Sequence, residues 1–395
     1  MQPATATARA AVRALRASKI REVANAGLGR QDIAAFWFGE PDEVTPDFIR
    51  QAAVDALNAG DTFYTHNLGI PELREALAAY LTRLHRPTDA SNVAITNSGM
   101  SALMLSAQAL IGHADRVVAV TPLWPNLVEI PKILGARVET VGLSFTPQGW
   151  TLDLTRLLEA LTPATSAVLI NSPNNPTGWT IGRDAQRTVL EHCRQHGIWI
   201  IADDAYERLY FAAANGAGAM APSFLDIATA EDRVVSTNTF SKSWLMTGFR
   251  LGWIAAPAGL ALDLPKLIEY NTSCAPPFVQ RAGVAALEHG EPVVARTVSR
   301  LRRARDYLIG QLQATPGIEA AAPEGAMYAF FRVRGLGDSL ALCKRLVTDA
   351  GLGLAPGIAF GPEGEGYVRW CFAASEQRLA DGIQRLRRAL EATHR

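Results

Sequence analysis

A chain of 395 residues is long enough for one large domain and a smaller one, each with its own core. Its composition, 48% hydrophobic and 19% charged, is that of a globular enzyme, and 38 basic against 38 acidic side chains leave no net charge to recruit a polyanion. No apolar run approaches the ~20 residues of a membrane-crossing helix. Cys193, Cys274, Cys343 and Cys371 stand apart with no CxxC, which reads as free thiols in a reducing compartment.

The first 21 residues carry four arginines, Lys19 and no acidic side chain. An organellar transit peptide has such a charge, but serine is scarce, so an amphipathic helix over 8–27 ending at Gly27 is the reading adopted, in a cytoplasmic protein. AAFWFGEPD (34–42) reads as a short strand running into a turn at Gly39-Glu40-Pro41-Asp42. A helix over 46–59 follows, with Thr45 as N-cap and Pro46 at the first helical position. After Tyr64, Pro71 opens a helix to about Leu84. SNVAITNSGMSALMLSAQAL (91–110) is a strand, a turn and a helix. The start of such a helix leaves N–H groups unpaired and carries partial positive charge, so the turn at Ser98, Gly99 and Met100 suits a phosphate. RVVAVTPLW (116–124) is another strand, whose end delivers Trp124 either to stack on a flat heterocycle or to pack in the core.

A helix (125–135), a strand (137–143) and a helix (153–161) come next. SAVLINSPNNPTG (166–178) is a strand into a polar turn. Asn175 can donate its amide to a ligand oxygen there, while Pro176 and Gly178 fix the turn. His192 and His196 lie four apart in the last turn of a helix over 182–196. They have no matching ligand pair elsewhere, so they read as helix-dipole partners and not as a metal site. GIWIIADDAYERLYF (197–211) is a strand buried on both faces, followed by Asp203 and Tyr206. An aspartate there can pair with a cationic donor, with Asp204 as its rival, and the tyrosine hydroxyl can hydrogen-bond a ligand oxygen.

STNTFSKSWLMTGFRLGWIAA (236–256) is the segment richest in chemistry. Of five lysines in the chain, Lys242 alone sits where a strand-like run, ending near Thr239, breaks into Ser, Thr and Gly. A lysine at such a strand end can lose solvation and become a nucleophilic amine. Arg250 can clamp a phosphate or carboxylate beside it. Strands alternate with helices from 91 to 257, which predicts an α/β domain with a mainly parallel sheet. Ser98, Trp124, Asn175, Asp203 and Lys242 all fall at strand ends, so five segments converge on one crevice. Beyond a helix to 289 and a long basic helix over 291–313, strands near 318–322, 327–334 and 367–373 read as an α+β unit. Arg369 lies in the last of them, VRWCFA.

S-K-x-x-x-M-T-G-x-R (Ser241 to Arg250), N-N-P-T-G (Asn174 to Gly178) and D-x-x-Y (Asp203 to Tyr206) together resemble the class I/II aminotransferases. These are pyridoxal-phosphate enzymes of the aspartate aminotransferase fold, fold type I, and the resemblance runs from about residue 18 to about 375. It implies a large domain over 46–290 with a mainly parallel seven-stranded sheet, and a small α+β domain built from 1–45 and 291–395. It implies that Lys242 holds pyridoxal 5′-phosphate as a Schiff base, that Asp203 keeps the pyridine nitrogen protonated, and that Tyr206 and Asn175 bond the phenolic oxygen. Trp124 would cover the ring. Arg250, Thr239 and the Ser98–Gly99–Met100 turn would hold the phosphate, Met100 by its backbone amide alone. Gly39, Trp124, Asn175 and Arg369 would bind substrate, Arg369 gripping the α-carboxylate. Tyr64 would reach the phosphate of a partner subunit in a homodimer.

The implied reaction moves the amino group of an α-amino acid to a 2-oxo acid by a ping-pong path, with small-molecule partners and no metal, nucleic acid or membrane. A carbon–sulfur (β/γ-eliminating) lyase on the same fold would need no 2-oxo acid. A non-catalytic pyridoxal-phosphate sensor module would carry a helix-turn-helix extension, for which the roughly 17 residues ahead of the match are too few. No residue stands out as the partner of a substrate side chain.

Overall fold

The computed structural model describes residues 7–211 and 220–393. Its largest sheet has seven strands, in spatial order Val93–Thr96, Gly252–Ala255, Val234–Thr239, Trp199–Asp203, Thr165–Asn171, Arg116–Thr121 and Arg137–Gly142. Only Gly252–Ala255 runs antiparallel to its neighbours. Its connection from Val234–Thr239 is the short segment 240–251, which turns the chain straight back and leaves no room for the crossover helix that a parallel return needs.

Side chains of the inner strands alternate between two cores, as the strand period of two requires. Val118, Val168 and Ile200 face one layer of helices, while Val117, Leu169 and Ile201 face the other. This two-sided burial explains the near-continuous apolar runs in the sequence.

A smaller sheet orders Ile318–Glu319, Tyr328–Val333, Tyr367–Cys371 and Ala355–Pro356 in antiparallel fashion. Ala34–Ala35 pairs in parallel with Leu352–Gly353, so the N-terminal segment joins the C-terminal part of the chain. One core unites Ile20, Val23 and Phe36 with Leu308, Phe331, Trp370 and Leu386. Helix Glu291–Gln313 runs between the cores, giving Val294 to the cluster around Trp244 and Leu301 and Leu308 to the core on the smaller sheet.

Three local expectations are corrected. The helix over 8–27 is two helices, Ala10–Arg13 and Lys19–Ala26. Arg9 donates to the Ile133 carbonyl (2.9 Å), whereas Ile20 and Val23 are buried in the core on the smaller sheet, and a straight helix cannot serve both anchors. Ser18 caps the second helix by accepting from the Arg21 amide. The strand expected at the start of 34–42 is only Ala34–Ala35, because its partner offers two residues and the carbonyls of Trp37 and Gly39 turn to side chains of the site. Thr45 is not the N-cap: Pro46 takes that place and the Thr45 hydroxyl donates to the Leu245 carbonyl. Among the described residues no helix is long and apolar enough to cross a membrane.

Candidate active site

The C-terminal ends of the parallel strands open on a cavity of 410 Å³. Gly99, Met100, Trp124, Asn175, Asp203, Tyr206, Thr239, Lys242, Arg250, Gly39 and Arg369 line it, so the structure brings together most of the residues singled out in the sequence. Two stand apart. Ser98, at φ 118°, uses its side chain to cap helix Gly99–Leu110, accepting from the Ser101 amide at 3.2 Å. Tyr64 is 89% exposed and does not line this chain's cavity.

Lys242 donates its ammonium to the Gly39 carbonyl and sits 5.7 Å from the centre of the Tyr206 ring. Burial pulls its pKa down to about 8; Cys371 opposes this, while the Arg369 and Arg250 charges add to it. Gly39 has no room for a side chain, since a Cβ there would lie 1.9 Å from the Tyr328 hydroxyl. Any larger residue would therefore displace the carbonyl that holds the amine.

Asp203 is the last residue of its strand and is buried. Its carboxylate accepts from the Ala205 amide at 3.3 Å, and burial pushes its pKa up to about 6 against that amide and the Lys242 charge. Asp204 is not on the cavity. It accepts from the Ser236 and Ser223 hydroxyls at 2.6 and 3.2 Å, and burial followed by Glu207 raises its pKa to about 7. The alternation of a strand thus separates two adjacent carboxylates that the sequence leaves as rivals.

Arg369 is 2% exposed. Its guanidinium donates to Asn175 Oδ1 (2.9 Å) and to the Trp37 carbonyl, lies 4.5 Å from the Tyr328 ring and 4.9 Å from the Phe360 ring, and leaves Nε without a partner. Among the described residues no carboxylate pairs with it, so a buried positive charge awaits an anion. Arg250, left-handed at φ 53°, donates to the Thr247 carbonyl (2.7 Å) and is likewise without a carboxylate among the described residues. Burial lowers its pKa.

Sequence reasoning missed several lining residues. Tyr328 hydrogen-bonds Tyr206 hydroxyl to hydroxyl at 2.7 Å, and burial followed by this neighbour raises the Tyr206 pKa well above its ordinary value. In YAFFRV it reads as one more core aromatic. Asn171 accepts from the Asn175 amide at 2.7 Å and donates to the Asp203 carbonyl at 3.0 Å, tying two strand ends together. The signal there was a polar residue closing an apolar run. Ser18, Ile20 and Arg21 also line the cavity, from the helix start that the sequence reading had merged into one long helix.

The donor set fits pyridoxal phosphate. A desolvated amine suits its aldehyde, and a buried carboxylate with one amide donor suits its ring N–H. An unpaired guanidinium beside a helix N-terminus suits its phosphate. A second guanidinium, with no carboxylate partner among the described residues and its Nε unbonded, remains for a substrate carboxylate.

The comparisons agree. A family model described as aminotransferase class I and II matches residues 35–386. The aspartate aminotransferase of Pyrococcus horikoshii is 33% identical over 385 residues, 95% of each chain. A probable aspartate/prephenate aminotransferase of Aquifex aeolicus is 33% identical over 381 residues, 95% of this chain and 94% of that one. The solved structure of the Thermus thermophilus aspartate aminotransferase with maleate has a TM-score of 0.89 at 29% identity, covering 98% of this chain and all of that one. The chain therefore belongs to the class I and II aminotransferases and is a pyridoxal-phosphate-dependent transaminase.

Proposed function

We propose that this transaminase works by a ping-pong path in which Lys242 is both the covalent anchor of the cofactor and the carrier of the substrate's Cα proton. The observation that supports it most is a part-buried lysine whose amine has its pKa drawn down to about 8, in the same cavity as a buried guanidinium with no carboxylate partner among the described residues. Bound pyridoxal phosphate supplies a sink for the electrons of the Cα–H bond. Arg369 clamps the α-carboxylate with the donors it does not give to Asn175 and Trp37. That grip fixes the Cα–H bond toward Lys242, whose Nζ removes the proton once it leaves the Gly39 carbonyl. Asp203, buried at the end of its strand, would hold a cationic ring N–H, Tyr206 and Asn175 would donate to the ring oxygen, and Trp124 would cover the ring. Arg250, Thr239 and the backbone at Gly99 and Met100 hold the phosphate.

The assembly is proposed to be a cytoplasmic homodimer. Phe63 and Tyr64 are almost fully exposed, as side chains reaching a second subunit would be, and the four cysteines are buried free thiols. The division into 46–290 and 1–45 with 291–395 is part of the same proposal and is supported by the pairing of Ala34–Ala35 with Leu352–Gly353.

Borohydride reduction of the cofactor-loaded protein, followed by peptide mapping, should place the label on Lys242. Lys242→Ala should lose both label and transamination, and retained turnover would refute the role. Release of a 2-oxo acid and ammonia with no acceptor added would favour the lyase instead.

A further inference from the structure

We infer that Tyr328 is a positioning residue for the cofactor: its hydroxyl donates to the Tyr206 hydroxyl and so commits the Tyr206 hydrogen to the ring oxygen of pyridoxal phosphate. The inference rests on the aminotransferase reading, which gives Tyr328 no part. The two hydroxyls lie 2.7 Å apart, and this chain's own residues bury Tyr206 to 5% and Tyr328 to 1% exposure. Backbone bonds bring them together. Tyr328 opens strand Tyr328–Val333 of the small sheet, and the residues leading to it dock on the segment that follows Tyr206. The Ala326 amide donates to the Leu209 carbonyl (2.8 Å) and the Phe211 amide to the Glu324 carbonyl (2.7 Å). The Gly39 backbone closes a further side, leaving no space for a Cβ beside the Tyr328 hydroxyl.

A hydroxyl has one hydrogen to give and two lone pairs to receive with. Burial raises the pKa of both tyrosines, so both hydrogens stay in place near neutral pH. The bond between the two oxygens holds one of those hydrogens. Once Tyr206 gives its own to the ring oxygen, only Tyr328 can supply the other. A hydroxyl that accepts in this way is also the stronger donor. The Tyr328 ring makes a separate contact, 4.5 Å from the Arg369 guanidinium. Phenylalanine at 328 would keep that contact and lose the hydroxyl alone. A weaker donor at the ring oxygen leaves more negative charge there, so the bound cofactor keeps its proton to higher pH. The other groups acting on the two hydroxyls and on the Lys242 amine are Asp203, Arg250, Arg369, Cys371 and Glu40, which Tyr328→Phe leaves unaltered.

The test follows the absorbance of the cofactor-loaded protein against pH. Tyr328→Phe should move the midpoint up by about 0.3 pH unit or more, and Tyr206→Phe by about 0.4–1 unit. Adding Tyr328→Phe to Tyr206→Phe should change the midpoint by no more than about 0.1 unit, because the hydroxyl then has nothing to act through. Propanoate, an unreactive carboxylate, should bind native and Tyr328→Phe protein within about twofold, since the ring beside Arg369 remains. An unmoved midpoint in Tyr328→Phe would overturn the inference, as would an equal shift with and without the Tyr206 hydroxyl. Loss of propanoate binding with no shift would also overturn it and make the Tyr328 hydroxyl a substrate contact. Borohydride labelling and turnover of the same samples separate the two readings. Label on Lys242 with an unmoved midpoint leaves the transaminase standing and the relay refuted. A shift that depends on Tyr206, in a protein that passes no nitrogen to any 2-oxo acid, upholds the relay while the transaminase reading fails.

Discussion

At the scale of the residue, the chemistry turns on what burial does to one amine. A lysine in water is almost wholly protonated at neutral pH, roughly 0.04% of it being the free amine. Burial brings Lys242 to about 8, so that the fraction rises more than a hundredfold, helped by the nearby Arg369 and Arg250 charges. Because the folded pKa is depressed, the reactive form gains as pH rises through 8 and is nearly complete well before an ordinary lysine titrates. Cofactor-free protein treated with a trinitrobenzene sulfonate should label Lys242 with a rate that climbs tenfold per unit below pH 8 and levels above it. Arg369→Gln removes one depressing charge, so the midpoint should move up; an unchanged midpoint would mean that solvent reaches the amine and screens it. This amine was legible in the sequence because polar residues interrupt an apolar run only where backbone and cavity meet. Tyr328 was not, since its ring has the burial of a core residue, and only the fold brings its hydroxyl to 2.7 Å from Tyr206 and its ring under Arg369.

At the scale of the element, the site depends on how closely two backbones approach. Gly252 opens the antiparallel strand, and a Cβ there would stand 2.5 Å from the Gly99 nitrogen, 2.6 Å from the Ser98 carbonyl carbon and 2.7 Å from the Asn238 carbonyl oxygen. All three are backbone atoms, so none can swing aside. Gly252→Ala should push the start of helix Gly99–Leu110 off the strand and weaken pyridoxal phosphate binding by about tenfold or more, with overpacking costing about 1–3 kcal/mol of stability. Titration of apoprotein followed by absorbance, beside a thermal melt, reads both effects. Gly310→Ala, exposed in the last turn of helix Glu291–Gln313 with no neighbour within 4 Å, should instead raise stability by about 0.4–1 kcal/mol and leave the cofactor alone. The helices and strands of this layer were readable from period and capping residues, but the broken N-terminal helix was not. Its five residues between Arg13 and Lys19 contain no Gly or Pro, and only the distance between its two anchors shows why it bends.

At the scale of the whole molecule, a buried charge cluster fastens segments far apart in the chain. His85, at the end of helix Pro71–Leu84, has a fully buried ring between two carboxylates: Asp226 at 2.7 Å from Nδ1 and Glu207 at 3.3 Å from Nε2. The second contact is close enough for charge attraction, though off hydrogen-bond alignment. Glu207 accepts in turn from Asn238 (2.9 Å), next to Thr239 of the site, and Arg183 pairs with Asp226 at 2.8 Å. Nothing in the sequence near His85 announces this, because its partners lie more than a hundred residues away and only the fold brings them in. Burial alone would lower the imidazole pKa, but Asp226 and then Glu207 outweigh it and hold the pKa at about 10. A raised folded pKa gives stability that is complete below the unfolded value, about 6.5, and is lost as pH rises through 10. Melting temperatures of the native enzyme should therefore fall progressively between pH 6.5 and 10. His85→Gln cannot carry the charge and leaves Glu207 and Asp226 facing each other, which should cost about 3 kcal/mol or more near neutral pH. Its melting temperature should lie well below the native one at pH 7, and the gap should narrow toward pH 10. A gap that stays constant across that range would show that the ring is neutral in the fold and that its contribution is packing alone.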